Sequence, residues 1–299
     1  MLRGVVVPMI TPFREDFEID LDALEWLVNH LIRGGVDFIF PNSSTGESTS
    51  LSLDERKKLI QKVMELASGR TKVLPGIGGI STLEVIELGR FVKDVGADGG
   101  IAITPYFFKL SPKELKAHYS RVATAIDIPI VIYHYPALTG ITLPVETVVE
   151  LALEHSNMAG IKVTYDSVAY LKRLINEVKG VRKDFSVFSG LDYLMLFNLM
   201  LGGDGSVGSL SNLTPKLHSG IYRAWISGDL VKAYSLYMKL HKLTRLLEIS
   251  PTTVAAVKAA LALAGTPVKP VLRPPLSSVS EDFKKVAGEL IKELSDFIF

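Results

Sequence analysis

The chain has 299 residues, of which 33 are Lys or Arg and 32 are Asp or Glu, and it contains no cysteine. A formal net charge of +1 without a dense basic cluster excludes the concentrated positive face that nucleic acids and anionic membranes require, so neither partner is expected. The lack of cysteine excludes disulfides, thiolate metal ligands and a cysteine nucleophile. The short apolar run before Pro8 is too small for a signal peptide, and a cytoplasmic protein is expected.

Short apolar or β-branched runs recur along the chain, and helix-length amphipathic segments separate them. Most of the runs carry apolar residues at successive positions, as expected for parallel strands that are covered on both faces. Eight such units within about 225 residues match a (β/α)8 TIM barrel better than an open doubly wound sheet, which more often has five or six strands. The predicted strands cover residues 4–10, 36–41, 72–76, 99–104, 129–133, 158–164, 185–189 and 205–210.

Three of the predicted helices begin with the same signal, a serine followed three residues later by a glutamate. This spacing is typical of a capping box, in which the serine and glutamate side chains each accept a hydrogen bond from a main-chain N–H of the first turn. The three pairs are Ser52 with Glu55, Ser81 with Glu84, and Ser111 with Glu114.

The strand signals stop near residue 225, and three helices are predicted beyond it, over residues 230–247, 252–264 and 281–299. The sequence therefore predicts a catalytic barrel of residues 1–224 followed by a C-terminal helical segment of residues 225–299. Because this segment holds no convergent cluster of polar residues, we expect it to serve stability or oligomerisation.

Lys162 is the most informative polar residue, because it interrupts the apolar run Met158-Ala159-Gly160-Ile161 in the sixth predicted strand. Burial there disfavours the charged ammonium and lowers the pKa of the lysine. A neutral amine can attack a ketone to form a Schiff base, which then accepts electrons when a neighbouring C–C bond breaks. The alternative is a structural lysine whose ammonium reaches water from the strand end.

Two other strand ends carry groups that suit this chemistry. Tyr133 ends the strand before that of Lys162, so both side chains are expected at the same mouth of the barrel, where a phenol can move protons. Ser44-Thr45-Gly46 offers hydroxyls and main-chain N–H groups in a tight turn suited to a carboxylate. The alternative for Tyr133 is a packed aromatic ring at a strand end, and the alternative for the turn is an ordinary polar loop. Among the six histidines only His134 lies at a predicted strand end, directly after Tyr133, and one imidazole cannot form a zinc site, so no metal is expected.

The chain resembles the dihydrodipicolinate synthase / N-acetylneuraminate lyase family of class I aldolases over nearly its whole length. The resemblance rests on three motifs in the right order and spacing: Ser43-Ser44-Thr45-Gly46-Glu47, the stretch from Tyr133 to Pro136-Ala137-Leu138-Thr139-Gly140, and Gly160-Ile161-Lys162-Val163-Thr164. Thr104-Pro105-Tyr106 and Gly202-Gly203-Asp204-Gly205 add to it. The family implies a barrel with a C-terminal helical segment, a homotetramer, and pyruvate or another 2-keto acid bound to the lysine of the sixth strand.

The resemblance assigns roles to individual residues. It makes Lys162 the Schiff-base lysine, Tyr133 the proton donor and acceptor, and Ser44 a member of the proton relay. Thr45 would bind the pyruvate carboxylate together with the main chain of its turn. The remaining residues that the resemblance places at the substrate are Tyr106, Thr164, Gly190, Val207 and Ser209.

Departures from the family pattern bear on specificity. Leu138 stands where dihydrodipicolinate synthases typically carry an arginine that binds the carboxylate of aspartate semialdehyde. Leu191-Asp192-Tyr193 replaces the Tyr-Asp-Glu that is usual in sialic acid lyases. Phe107 occupies a position where a tyrosine normally reaches across a subunit interface into the proton relay, and a phenylalanine cannot relay a proton.

The chain most resembles the 2-keto-3-deoxygluconate aldolases. The likeness rests on Tyr133-His134-Tyr135-Pro136-Ala137-Leu138-Thr139-Gly140 and on Asp166-Ser167-Val168-Ala169-Tyr170-Leu171. We therefore expect an aldolase without a cofactor or a metal, which cleaves a 2-keto-3-deoxy sugar acid into pyruvate and an aldehyde. The alternatives are a dihydrodipicolinate synthase or a keto-acid dehydratase of the same family. A more distant alternative, suggested by Phe107, is a keto-acid-binding protein that has lost turnover.

Overall fold

The computed structural model describes all 299 residues and contains eight short strands that alternate with helices along the chain. The strands belong to one sheet in the order β3-β2-β1-β8-β7-β6-β5-β4. This arrangement is a (β/α)8 barrel followed by a C-terminal helical segment, so the predicted fold class is confirmed. The strands are β1 (Gly4–Pro8), β2 (Phe38–Phe40), β3 (Lys72–Val73), β4 (Gly100–Ile103), β5 (Ile130–His134), β6 (Met158–Val163), β7 (Ser186–Ser189) and β8 (Gly205–Ser206).

The chain divides into two compact units, which we call unit 1 and unit 2. Unit 1 consists of Met1–Gly4 and Val73–Val207, and unit 2 consists of Val5–Lys72 and Gly208–Phe299.

Unit 1 contains β4 to β8 and six helices. Its strands pair in parallel, β4 with β5, β5 with β6, β6 with β7 and β7 with β8, and their apolar side chains are buried. Continuous burial explains why these strands read as apolar runs in the sequence. The helices are α3 (Thr82–Asp94), α4 (Pro112–Ala125), α5 (Pro136–Thr139), α6 (Val145–Glu154), α7 (Val168–Val181) and α8 (Met195–Met200).

Unit 2 contains β1, β2 and seven helices, and β1 pairs in parallel with β2. The helix predicted over 230–247 is divided at Thr244, and the one predicted over 281–299 ends as an α-helix at Glu293, before a 3₁₀ turn over Ser295–Phe297. The helices are α1 (Leu21–Arg33), α2 (Leu53–Ala67), α9 (Pro215–Ile226), α10 (Leu230–Leu243), α11 (Arg245–Glu248), α12 (Thr253–Leu263) and α13 (Glu281–Glu293).

Two of the three predicted capping boxes are present, at Ser52 in α2 and at Ser111 in α4. The third prediction is wrong in part. The Ser81 hydroxyl accepts from the N–H of Leu83, but the box is not formed. The carboxylate of Glu84 lies instead against Gly79, where an added Cβ would meet its Cδ at 2.8 Å.

None of the helices taken singly is long and apolar enough to cross a membrane. One pair, Leu230–Glu248 and Thr253–Leu263, meets that test of length and composition when joined, although its two parts are bent by 113°.

Candidate active site

Lys162 and Tyr133 lie side by side on neighbouring strands of unit 1. Parallel pairing of β5 with β6 places Tyr133 opposite Lys162. The Lys162 Nζ lies 3.8 Å from the centre of the Tyr133 ring. Both side chains are buried, with 2% of Lys162 and 3% of Tyr133 exposed. The structure therefore brings together these two residues, which the sequence places at neighbouring strand ends.

The environment of Lys162 favours the neutral amine. Burial lowers the pKa of Lys162 to about 7, because a charged ammonium loses its hydration inside the protein. The carboxylate of Asp192 opposes this shift by attracting the ammonium. Near neutral pH a large share of Lys162 is thus the free amine, which is the nucleophilic form.

Asp192 begins the 3₁₀ turn Asp192–Leu194 after β7 and is 3% exposed. In the sequence Asp192 stands out only as part of a departure from a family pattern, and its charge effect on Lys162 was not predicted. Its place two residues after Gly190 was the one signal in the sequence that could have indicated this role.

Gly190 follows β7 and packs against Lys162 and Thr164. A Cβ added at Gly190 would lie 1.9 Å from the Thr164 Oγ1 and 2.9 Å from the Lys162 Cε. Only a glycine leaves room for both side chains here. Thr164 is buried, and its hydroxyl has no hydrogen-bond partner in the chain. A buried polar atom without a partner is unusual in a native protein, and it is therefore available to a bound molecule.

Hydrogen bonds from Thr104 fix the main chain at Tyr133. The N–H of Thr104 donates to the Tyr133 carbonyl at 3.0 Å, and the Thr104 hydroxyl donates to the same oxygen at 3.2 Å. Tyr106 lies two residues further along this loop and is half-buried. Val207 is buried directly after β8, and its N–H donates to the carbonyl of Ser189 at 2.7 Å.

A second group of polar side chains in unit 1 was not predicted from the sequence. The Tyr193 hydroxyl donates to the Asp166 carboxylate, and desolvation together with that negative charge raises the pKa of Tyr193 to about 12. Tyr135 interacts with Tyr193 and stacks on Tyr133 at 5.8 Å between ring centres. These hydroxyl and carboxylate groups can bind the hydroxyls of a polar substrate.

Unit 2 holds the turn that the sequence indicated as a carboxylate site. Ser43 to Glu47 follow β2, with the N–H of Gly46 donating to the Ser43 carbonyl at 3.0 Å and that of Glu47 donating to the Ser44 carbonyl at 3.1 Å. Thr45 is buried, and its N–H donates to no group in the chain. A donor of this kind is available to an anion.

The same turn is closely packed against the chain that follows β1. The Thr11 hydroxyl donates to the Gly46 carbonyl at 2.6 Å. A Cβ at Gly46 would lie 2.7 Å from the Met9 carbonyl oxygen, so a glycine is required. Ser209, which is also in unit 2, is buried in the 3₁₀ turn Ser209–Asn212 and not in a strand. The strand predicted over 205–210 was therefore too long, since β8 ends at Ser206.

His134 is a core residue. Burial lowers the pKa of His134 to about 4, so its ring is neutral at physiological pH. Its ring lies 5.0 Å from that of Tyr170 and 5.7 Å from that of Tyr165. The structure contains no group of three or more His, Asp or Glu side chains arranged as metal ligands.

The predicted site residues are thus divided between the two units. The structure brings Lys162, Tyr133, Thr164 and Gly190 together in unit 1, which also contains Tyr106 and Val207. Ser44, Thr45 and Ser209 belong to unit 2.

Comparisons with known proteins establish the family. The model of the dihydrodipicolinate synthetase family matches residues 1–294. A protein of Thermofilum pendens, named an uncharacterized DapA-like lyase, is 43% identical over 291 residues, which are 97% of each chain. YjhH of Escherichia coli, named a probable 2-dehydro-3-deoxy-D-pentonate aldolase, is 38% identical over 94% of this chain and 93% of its own.

A solved structure agrees with these sequence matches. YagE of Escherichia coli K12, described as a prophage protein of the dihydrodipicolinic acid synthase family in complex with pyruvate, superimposes with a TM-score of 0.95. It is 34% identical and covers 99% of both chains. The chain belongs to the dihydrodipicolinate synthetase family and is a carbon–carbon lyase, so the predicted family and enzyme class are confirmed.

Proposed function

We propose that this member of the dihydrodipicolinate synthetase family is an aldolase that splits a 2-keto-3-deoxy sugar acid, such as 2-keto-3-deoxygluconate, into pyruvate and an aldehyde. The observation that carries the proposal is the buried Lys162, whose Nζ lies 3.8 Å from the centre of the Tyr133 ring. A lysine with its pKa lowered to about 7 supplies the nucleophile, and the reaction needs no cofactor or metal.

In the proposed reaction the neutral amine of Lys162 attacks the C2 ketone of the substrate. Loss of water from the resulting carbinolamine gives a protonated Schiff base, which withdraws electrons from C3. Tyr133 removes the proton of the 4-hydroxyl, the C3–C4 bond breaks, and the aldehyde leaves. The electron pair of that bond forms an enamine, which is protonated at C3. Hydrolysis then releases pyruvate and regenerates the Lys162 amine.

The other predicted residues bind and orient the substrate in this proposal. The turn containing Ser44 and Thr45 binds the carboxylate through main-chain N–H groups and a hydroxyl, and Ser44 takes part in the proton relay. The residues that line the pyruvyl end are Gly190 and Val207, and those that face the rest of the substrate are Tyr106, Thr164 and Ser209.

The choice of substrate class has three supports. YjhH is named as an aldolase of a 2-dehydro-3-deoxy sugar acid, and YagE binds pyruvate in its crystal structure. Leu138 is 60% exposed and apolar, so it provides no bidentate partner for a second substrate carboxylate. The hydroxyl and carboxylate groups of Tyr193 and Asp166 are suited to the hydroxyls of a sugar acid.

A panel of substrates tests the proposal. The protein is incubated with 2-keto-3-deoxygluconate, with 5-keto-4-deoxyglucarate, and with pyruvate plus aspartate semialdehyde, and the products are identified by mass spectrometry. Release of pyruvate and an aldehyde from the first compound is expected. Condensation of pyruvate with aspartate semialdehyde as the fastest reaction identifies a dihydrodipicolinate synthase instead, and carbon dioxide from 5-keto-4-deoxyglucarate identifies a dehydratase.

A cytoplasmic homotetramer is also proposed. Phe107 is 84% exposed and Phe108 is 67% exposed, with their rings edge to face at 5.2 Å, and such an apolar pair is suited to a subunit interface. Sedimentation equilibrium measures the mass of the assembly, and a monomer at micromolar concentration contradicts the proposal. Fractionation of cells that express the protein tests the location.

A further inference from the structure

Glu47 is an unusual residue at the end of the turn Ser43 to Glu47. Its side chain is buried, and its main chain has the left-handed conformation with φ of 56°, which residues other than glycine adopt at a cost. Both carboxylate oxygens are bound. The Lys258 Nζ donates to Oε1, and the main-chain N–H of Arg273 donates to Oε2 at 3.0 Å.

Lys258 is fully buried in α12, in the C-terminal helical segment. Its ammonium also donates to the Val271 carbonyl at 2.8 Å and lies 4.2 Å from the centre of the Phe13 ring. Three different kinds of partner thus surround the charge: the Glu47 carboxylate, a carbonyl oxygen and an aromatic face. Burial lowers the pKa of Lys258 to about 8, although Glu47 attracts the ammonium.

Arg273 extends this cluster to the start of α2. Its guanidinium forms an ion pair with Glu55 and donates to the carbonyls of Phe17 at 2.9 Å and Ser50 at 2.7 Å. The C-terminal helical segment was expected to lack a convergent polar cluster, and that expectation is wrong. The cluster joins two distant parts of the sequence, with 211 positions between Glu47 and Lys258 and 218 between Glu55 and Arg273.

A role in stability alone explains this arrangement poorly. Removing two charges from water costs about as much as their attraction returns, so well-packed apolar residues of similar size are as stable or more stable. The ion pair of Lys258 with Glu47 nevertheless acts at one place, because Glu47 is the left-handed residue that ends the turn. Glu47 lies two residues after Thr45, so the hydrogen bonds of its carboxylate restrain the end of the turn that contains Thr45.

We propose that Lys258 and Arg273 act through Glu47 as positioning residues, which hold the Ser43 to Glu47 turn in the conformation that receives the substrate carboxylate. This inference rests on the proposed function, in which that turn binds the carboxylate. The C-terminal helical segment is then a part of the substrate-binding apparatus. Its effect is specific to ligands that carry a carboxylate beside the reacting ketone.

The test compares two ketones that form Schiff bases on the intact protein. Pyruvate carries the carboxylate, and hydroxyacetone has a neutral CH2OH group in its place. The rate of reductive trapping by cyanoborohydride is measured against the concentration of each ketone. The preference for pyruvate is the half-saturating concentration of hydroxyacetone divided by that of pyruvate. The variant is Lys258→Met. The matched control is Lys179→Met, because Lys179 likewise donates to a buried carboxylate, that of Asp204, and to a carbonyl oxygen.

Lys258→Met is expected to lower the preference for pyruvate by about tenfold or more. A displaced turn loses about one hydrogen bond from a main-chain N–H to the pyruvate carboxylate, and a hydrogen bond to a charged group shifts binding by that order. Trapping of hydroxyacetone and the preference of Lys179→Met are expected to stay at the wild-type level. The double variant Glu47→Gln/Lys258→Met leaves no unpaired buried charge, so it replaces the single variant if that one does not fold. The same loss of preference for pyruvate is expected.

A wild-type preference in Lys258→Met, or in the double variant where the single one does not fold, overturns the inference while leaving the proposed function intact. Equal affinity of the wild-type protein for the two ketones also overturns it, because the turn then binds no carboxylate. Failure of the wild-type protein to be trapped by pyruvate at all refutes the proposed function before any variant is compared.

Discussion

Replacement of Gly190 by alanine adds a single methyl group at the most crowded point beside Lys162. The new Cβ would lie 1.9 Å from the Thr164 Oγ1, about 1.5 Å inside ordinary van der Waals contact. Rotation of the Thr164 side chain removes that clash but leaves the Thr164 Cβ at 3.0 Å and the Lys162 Cε at 2.9 Å. Lys162 must therefore move away from its position above the Tyr133 ring.

The expected effects of Gly190→Ala follow from this crowding. Overpacking of a filled interior lowers the free energy of unfolding by about 1–3 kcal/mol. Displacement of the reacting amine by about 1 Å lowers kcat/KM by about 10²-fold. The assay is pyruvate release from the best substrate of the panel, with thermal unfolding of the same sample.

Gly180→Ala provides the matched control. Gly180 lies in α7, and an added Cβ there would meet nothing within 4 Å. The same chemical change is expected to raise the free energy of unfolding by about 0.5–1 kcal/mol, because alanine favours a helix over glycine, and to leave kcat/KM unchanged. Wild-type kcat/KM in Gly190→Ala would refute the steric reasoning.

Tyr133→Phe is expected to lower kcat by about 10²–10⁴-fold while pyruvate is still trapped on Lys162, because only proton transfer is lost. The initial rate of trapping at low pyruvate concentration is expected to rise with pH up to about 7 and then to level off, since the pKa of Lys162 is lowered to about 7. A trapping rate that still increases tenfold per pH unit at pH 9 would indicate an ordinary lysine. The ion pair with Arg273 lowers the pKa of Glu55 to about 2, so the stability it contributes is present above pH 4.5 and is lost as the pH falls towards 2. Arg273→Met is therefore expected to flatten the fall in the free energy of unfolding over this pH range, as measured by urea titration at each pH.

The sequence predicted the strands of unit 1 and the pair at their centre for a clear physical reason. Strands buried on both faces require apolar residues at successive positions, so β5 and β6 are visible as runs, and Lys162 stands out as the charge within one of them. The opposition of Tyr133 and Lys162 follows from parallel pairing in register. Burial alone fits both a structural and a catalytic lysine at position 162, and the family motifs favoured the catalytic interpretation.

Strand and helix ends that depend on distant contacts were harder to predict. The sequence continues β8 to residue 210 because its residues are small or apolar, yet the strand ends at Ser206. The Asn212 amide donates to the Pro8 carbonyl at 3.0 Å and to the Ser209 carbonyl at 2.9 Å. These bonds stabilise a 3₁₀ turn in place of further strand, and a contact over 204 residues leaves no local pattern.

The clusters around Glu47 and Asp192 were missed for the same reason. A Glu in a turn, or an Asp after a strand, is a common surface residue by composition. Only the folded chain shows that Glu47 is buried against Lys258 and that the charge of Asp192 acts on Lys162.

Covalent labelling of Lys162 tests the central claim most directly. The protein is treated with pyruvate and borohydride, digested, and its peptides are analysed by mass spectrometry, with Lys162→Ala treated in parallel. The account predicts a reduced pyruvate adduct on the peptide that contains Lys162 and no adduct in the variant. An unlabelled wild-type protein, or an adduct on a different lysine, would contradict it.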